Sequence, residues 1–268
     1  MIPRATSALV VPTTLAFVLL LAAAGTQGPS IFDAILAEPG QRTAEVSTAE
    51  LKRILTERSA IVLDARPYLE YAISHVPGAL NVAAKPGVSA SMYVSDVTEV
   101  GRLVNGDKAA PIVLYCNGPY CGKSKRLAEE LVAAGYSSVR RYQLGIPVWR
   151  ALGGVSEIEA EGLRHVLAHD RTAVVIDGRD TTAYRTGTLP TARHIPRSGV
   201  LEGKDAGEVR RAKDDGRLPM YDHNTRIVVV GSSAADARYV AEALAREAFH
   251  NVAFYRGSVS EALAATRP

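Results

Sequence analysis

Short, largely apolar runs alternate along the chain with stretches that place an apolar residue every three or four positions. The runs are "AIVLDA" (60–65), "PIVLYC" (111–116) and "VRRYQL" (139–144), then "AVVIDG" (173–178), "RIVVVG" (226–231) and "NVAFYR" (251–256). The helical stretches include "KSKRLAEELVAAG" (123–135), with Gly135 as its stop, and "ADARYVAEALARE" (235–247). Ser47 with Glu50 has the spacing of a capping box and predicts a helix through about Glu57. Continuous apolar strands between helices predict an α/β fold whose mostly parallel sheet is covered by helices on both faces. Ligand-handling groups in such sheets lie at the carboxyl ends of the strands.

The pattern occurs twice. Residues 62–82, "VLDARPYLEYAISHVPGALNV", align without a gap on residues 175–195, "VIDGRDTTAYRTGTLPTARHI". Asp64, Arg66, Tyr71, Pro77 and Ala79 meet Asp177, Arg179, Tyr184, Pro190 and Ala192. A period of that length is domain-sized, so it predicts tandem domains rather than a solenoid. The expected division is a leader over 1–26, a linker over 27–43 and domains over 44–153 and 154–268.

Composition narrows the class. The 268 residues are 47% hydrophobic and 22% charged, which excludes wholesale disorder and a rod. The 31 Lys and Arg against 28 Asp and Glu leave a net charge of +3 and no basic block, so no nucleic-acid partner is expected. Arg4 precedes an uncharged run from Ala5 to Ala24 that ends in small residues, the layout of a signal peptide. The expectation is export, to the periplasm where the source is a Gram-negative bacterium. The alternative is a retained membrane anchor, since a run of about 20 residues just spans a bilayer. Either way Cys116 and Cys121 would meet an oxidising compartment.

Those two cysteines are the candidate chemistry. Cys116 ends the run "PIVLYC", and Asn117, Gly118, Pro119, Tyr120, Cys121, Gly122, Lys123 and Ser124 lead from it into a helix. Backbone N–H groups and the helix dipole at such a place favour a thiolate. Lys123 adds positive charge, and Gly118 and Gly122 let the loop curl. Taken by itself, Cys116 reads equally as a buried, inert strand-end thiol.

The chain resembles the rhodanese-like sulfurtransferases over both copies. The likeness rests on Asp64-Ala65-Arg66, on "HVPGALNV" (75–82), on Cys116 opening its loop and on "GIPVW" (145–149). It implies that Cys116 takes sulfane sulfur from a donor such as thiosulfate, holds it as a persulfide and passes it to a thiophilic acceptor. A partner protein's thiol is a further acceptor. The covalent intermediate makes this a ping-pong scheme. No cofactor and no metal are implied.

The loop departs from the family pattern: it looks longer and contains a second thiol. Cys121 can resolve a Cys116 persulfide into a disulfide with release of sulfide, form a resting disulfide, or stand by. In the second copy Gly231 occupies the place of Cys116, and the following "SSAAD" is about two residues shorter. That copy is expected to be inactive and to help wall the active-site cleft. Asp64 and Arg66 read either as a strand-end carboxylate that ties down loop amides with an Arg paired to it, or with Arg66 helping to bind anionic thiosulfate; Arg179 repeats Arg66 in the copy without a nucleophile, which favours the structural reading. The competing functions are a non-catalytic sulfur or redox carrier that docks on an enzyme, and a thiol–disulfide oxidoreductase using both cysteines.

Other motifs fail on spacing. "GPYCGKS" leaves three residues between its glycines where a P-loop needs four. A cysteine phosphatase would need Arg where Gly122 stands. His165 and His169 share a helix face, which reads as solvated, and the other histidines are scattered too widely to suggest zinc. His75 belongs to the segment before a strand and is given no catalytic task.

Overall fold

A computed structural model describes residues 28, 30–83 and 97–266. The expected leader therefore lies outside the described residues. Among the described residues no helix is long and apolar enough to cross a membrane.

The first copy contains β1 (Ala44–Glu45), α1 (Thr48–Glu57), β2 (Ile61–Asp64), α2 (Tyr68–Ile73), β3 (Leu80–Asn81) and α3 (Val97–Leu103). It continues through β4 (Ile112–Tyr115), α4 (Gly122–Ala133), β5 (Val139–Tyr142) and α5 (Gly145–Ala151). The second contains β6 (Ser156–Ile158), α6 (Ala160–His169), β7 (Val174–Asp177), α7 (Thr181–Thr186) and β8 (Arg193–His194). It closes with α8 (Gly207–Asp214), β9 (Ile227–Gly231), α9 (Ala234–Arg246), β10 (Val252–Ser258) and α10 (Val259–Ala265).

Each copy builds a five-stranded parallel sheet, in the orders β1-β5-β4-β2-β3 and β6-β10-β9-β7-β8. The two orders superpose strand for strand, so the repeat in the sequence is a repeat of topology. The strands alternate between two apolar layers because successive side chains point to opposite faces. Leu63, Ile112 and Leu114 pack with Leu127 and Leu131 of α4 on one face. Val62, Val113, Tyr115 and Tyr142 pack with Leu51, Ile54 and Trp149 on the other. The second sheet repeats this with Ile176, Ile227 and Val229 under α9, and with Val175, Val228 and Val230 against α6 and α10.

Three local readings are refined. Ser47 caps α1 by accepting from the Glu50 N–H, but the Glu50 carboxylate turns to Arg140, so only half of the expected box forms. Ser258 and Glu261 form a complete one at α10. The stretch read as linker is anchored: Leu36 and Glu38 donate backbone N–H groups to Glu45, and Lys125 Nζ lies 2.6 Å from the Glu38 carboxylate. That hydrogen bond from Lys125 holds the Glu38 carboxyl below its ordinary range.

The copies meet through α2 and α6. His75 and Glu157 exchange backbone hydrogen bonds of 3.0 and 2.8 Å, and Glu159 N–H donates to Ala72 O at 2.8 Å. A side chain at Gly162 would put its Cβ 2.0 Å from Ala72 O, so the seam requires glycine there.

Candidate active site

The loop after β4 is built by close backbone packing. Cys116 is its first residue, one position beyond the strand end at Tyr115 rather than the last strand residue, and it is 2% exposed. Its carbonyl accepts from Ile146 N–H at 3.1 Å. Gly118 has a φ of +101°, and Cys121 N–H donates to Gly118 O at 3.0 Å, closing a turn over residues 118–121. Cys121 is the N-cap of α4 but supplies no capping hydrogen bond, and Ser124 is buried in the first turn. Tyr120 is fully exposed at the tip, beside exposed Pro119, Gly122 and Asn117. Asn117 Nδ2 donates to the Glu70 carboxylate, and Lys123 is half-buried in the first turn of α4.

Cys116 and Cys121 are joined by a disulfide with their Cα atoms 6.2 Å apart. This is the oxidised form of the site, in which neither sulfur is a thiolate. The two sulfurs differ in access, since Cys116 is buried and Cys121 is half-exposed.

Asp64 and Arg66 sit one strand over, where β2 ends level with β4. Arg66 gives Nε and Nη2 to the Asp64 carboxylate, at 2.9 and 2.5 Å, and Nη2 also to Ser74 O. Burial works against the Arg66 charge, but the adjacent Asp64 carboxylate outweighs it and keeps the guanidinium above its ordinary range. Arg179 repeats the geometry on Asp177 and on Gly187 O. An arrangement present in both copies, 4% exposed at Arg66, is a tie between a strand end and the helix that follows it. Asn81 completes it by donating to the Asp64 and Arg66 carbonyls.

The second copy lacks room as well as a thiol. Five residues separate Cys116 from α4, but two separate Gly231 from α9. A Cβ on Gly231 would lie 2.8 Å from Ala237 N and 3.1 Å from Ser233 O.

A cleft of about 600 Å³ lies between the copies, lined by Lys52, Trp149, Val155, Arg238, Glu242 and Arg246 among others. None of residues 116–124 lines it. This cleft therefore does not bear out the expectation that the second copy walls the cysteine site. The second copy does contribute to a cluster that the sequence reading missed. His75, Glu157 and Glu159 converge at the seam, and burial pushes the His75 imidazole down to about 4 and the Glu157 carboxyl up. His165 and His169 stack on the outer face of α6, their ring centres 4.3 Å apart.

The family profile described as "Rhodanese-like domain" matches residues 47–152 and again residues 160–265. An HTH-type transcriptional regulator of Mycobacterium tuberculosis is 29% identical over 108 residues, which cover 40% of this chain and 42% of that protein. A thiosulfate sulfurtransferase structure from Pseudomonas aeruginosa has 20% identity and a TM-score of 0.34, over 84% of this chain and 43% of that one. A 3-mercaptopyruvate sulfotransferase structure from Escherichia coli has 18% identity and a TM-score of 0.35, over 81% and 98%. The chain spans less than half the length of the first two of these proteins.

Proposed function

The chain belongs to the rhodanese-like domain family, twice over, and from that premise we propose that it is a sulfurtransferase whose nucleophile is Cys116. The observation that carries the reading is the placement of Cys116 where the strand β4 ends and a turn leads into α4, set against Gly231 at the same place in the other copy. The oxidised site must first be opened. An external thiol attacks the accessible Cys121 sulfur, the bond between the cysteines breaks, and Cys116 leaves as the thiolate. A second external thiol releases Cys121 and carries away the oxidising equivalents as its own disulfide.

The Cys116 thiolate then attacks the sulfane sulfur of a donor such as thiosulfate. The donor's S–S bond breaks and sulfite departs with its electron pair. The resulting persulfide gives its outer sulfur to a thiophilic acceptor, which restores the thiolate. Alternatively Cys121 attacks the inner sulfur of the persulfide, expels hydrosulfide and restores the disulfide. Asp64 and Arg66 tie the end of β2 to the end of α2, one strand away from the cysteine loop, and no step uses a metal or cofactor. Export from the cytoplasm would place this cycle where disulfides persist.

The disulfide also favours a second reading, a thiol–disulfide oxidoreductase using Cys116 and Cys121. A thiosulfate:cyanide assay with thiol counting separates the two. Sulfur transfer is expected to be absent from the oxidised protein, to return on mild reduction, and to need no reductant in Cys121→Ser. Full activity with the disulfide intact would exclude the gating role. No sulfur transfer from fully reduced protein, beside brisk disulfide exchange, would favour the oxidoreductase.

The second copy is expected to remain inert even when given a thiol. In a Cys116→Ser background, Gly231→Cys pushes a side chain against the backbone of α9, at a cost of about 1–3 kcal/mol. Cyanolysis of the donor-treated protein should release no persulfide sulfur above the Cys116→Ser background. A stoichiometric persulfide on that variant would show that loop length is not the barrier.

A further inference from the structure

The seam between the copies holds three ligand-type side chains drawn from distant parts of the sequence. His75 is 1% exposed and stacks on Tyr71 with ring centres 3.9 Å apart. Its Nδ1 lies 2.9 Å from Tyr71 O. A carbonyl only accepts, so Nδ1 carries the proton and the lone pair of a neutral ring is on Nε2. Among the described residues nothing hydrogen-bonds to Nε2. It points instead at Glu159 Oε1, 3.8 Å away, and at Glu157 Oε2, 3.9 Å away. The three atoms all lie within 4.8 Å of one another.

The surrounding donors do not fill this gap. Gly78 N–H donates to Glu157 Oε2 at 3.2 Å. Arg256 reaches Glu157 Oε1 at 3.2 Å and Glu159 Oε1 at 3.6 Å, but from the solvent side, with its side chain 62% exposed. A lone pair and two carboxylates therefore face a common point, and no donor among the described residues bridges all three. The cations whose fields act on Glu157 are Arg256 and Arg238.

We infer that His75, Glu157 and Glu159 form a binding site for a divalent cation of the zinc class, which ties the two copies together. One imidazole nitrogen and two carboxylate oxygens suit that ion, with water completing a tetrahedron. Bonds of about 2.0–2.2 Å would set the ligand atoms about 3.3–3.5 Å apart, so Nε2 and each carboxylate oxygen need to close by about half an ångström and the two carboxylate oxygens by at most about 1.5 Å. The Nδ1–H bond to Tyr71 O is the outer-shell contact that fixes the tautomer and aims Nε2 inward. Glu159 is 24% exposed on its side chain and gives the ion a way in. The second copy has Thr188 where the first has His75, so the site belongs to the seam and not to the repeat.

The site stands independently of the cysteine chemistry, and its test removes that chemistry. The full chain is prepared without a histidine tag and with Cys116→Ser, Cys121→Ser, His165→Ala and His169→Ala, so that neither the thiols nor the exposed stacked pair takes up zinc. After chelation and dialysis it is titrated with zinc chloride by calorimetry and followed by thermal unfolding. One equivalent per chain should bind, and zinc should raise the melting temperature. Glu159→Gln, at the partly open edge where the fold tolerates it, should weaken binding at least tenfold and abolish the thermal shift. Arg256→Ala should bind at least as tightly as the parent, since it removes a competing cation. Failure of the parent to take up one equivalent would overturn the inference. So would undiminished binding and thermal shift in Glu159→Gln.

Discussion

Cys116→Ser should transfer no measurable sulfur, a loss on the order of 10³-fold or more, because the residue removed is the one proposed to form the covalent intermediate. The fold should survive. Serine is close in shape, and the change buries one hydroxyl at a site 2% exposed, at a cost of about 1–3 kcal/mol if it finds no partner. The variant also loses the disulfide. Closing a loop this short contributes about 2 kcal/mol by chain entropy, so reduced wild type, not oxidised wild type, is the proper reference for its melting temperature. Cys121→Ser loses the same cross-link and keeps the nucleophile, which makes it the matched control. The pair should have similar stability and opposite activity in a sulfane-sulfur transfer assay. Activity in Cys116→Ser within a few-fold of reduced wild type would end the assignment of the nucleophile.

The repeat made most of the fold legible in the sequence. Apolar runs such as "PIVLYC" and "RIVVVG" had the length and flanks of buried strands, and they became β4 and β9. The matched Asp-x-Arg pairs were legible too, and the structure gives them one geometry in both copies. What escaped were contacts between segments far apart in the chain. Glu50 had the right spacing for a capping box, yet its carboxylate was drawn to Arg140, a neighbour that only the β-sheet supplies. His75 looked isolated because Glu157 and Glu159 reach it only when the second domain folds back on the first. The linker reading of 27–43 rested on its Pro and Gly, which say nothing of the ion pair from Lys125 to Glu38. Periodicity reports local structure and burial, and a charged side chain's partner is set by tertiary packing that leaves no local trace.

The segment "GIPVW" shows the same limit at the site itself, and it yields the sharpest structural test. Gly145 opens α5 with a φ of +66°, a conformation that costs a residue with a Cβ about 1–2 kcal/mol. A Cβ there would also lie 2.3 Å from Gly118 N and 2.4 Å from Cys116 O. Both are backbone atoms of the cysteine loop, so neither can rotate away, and relief requires the loop or α5 to shift by roughly 1 Å. The Ile146 N–H bond to Cys116 O lies in the path of that movement. Gly145→Ala should therefore destabilise the fold by about 2–4 kcal/mol. It should also lower sulfur transfer by the reduced protein on the order of 10²-fold, as expected when a reacting group is displaced by about 1 Å. Gly135→Ala is the control. Its φ is +89°, but no atom lies within 4 Å of the added carbon. It should show the backbone cost by thermal unfolding and leave kcat/KM unchanged. If the two variants lose the same stability and Gly145→Ala keeps its turnover, close packing of α5 against the loop does not position Cys116.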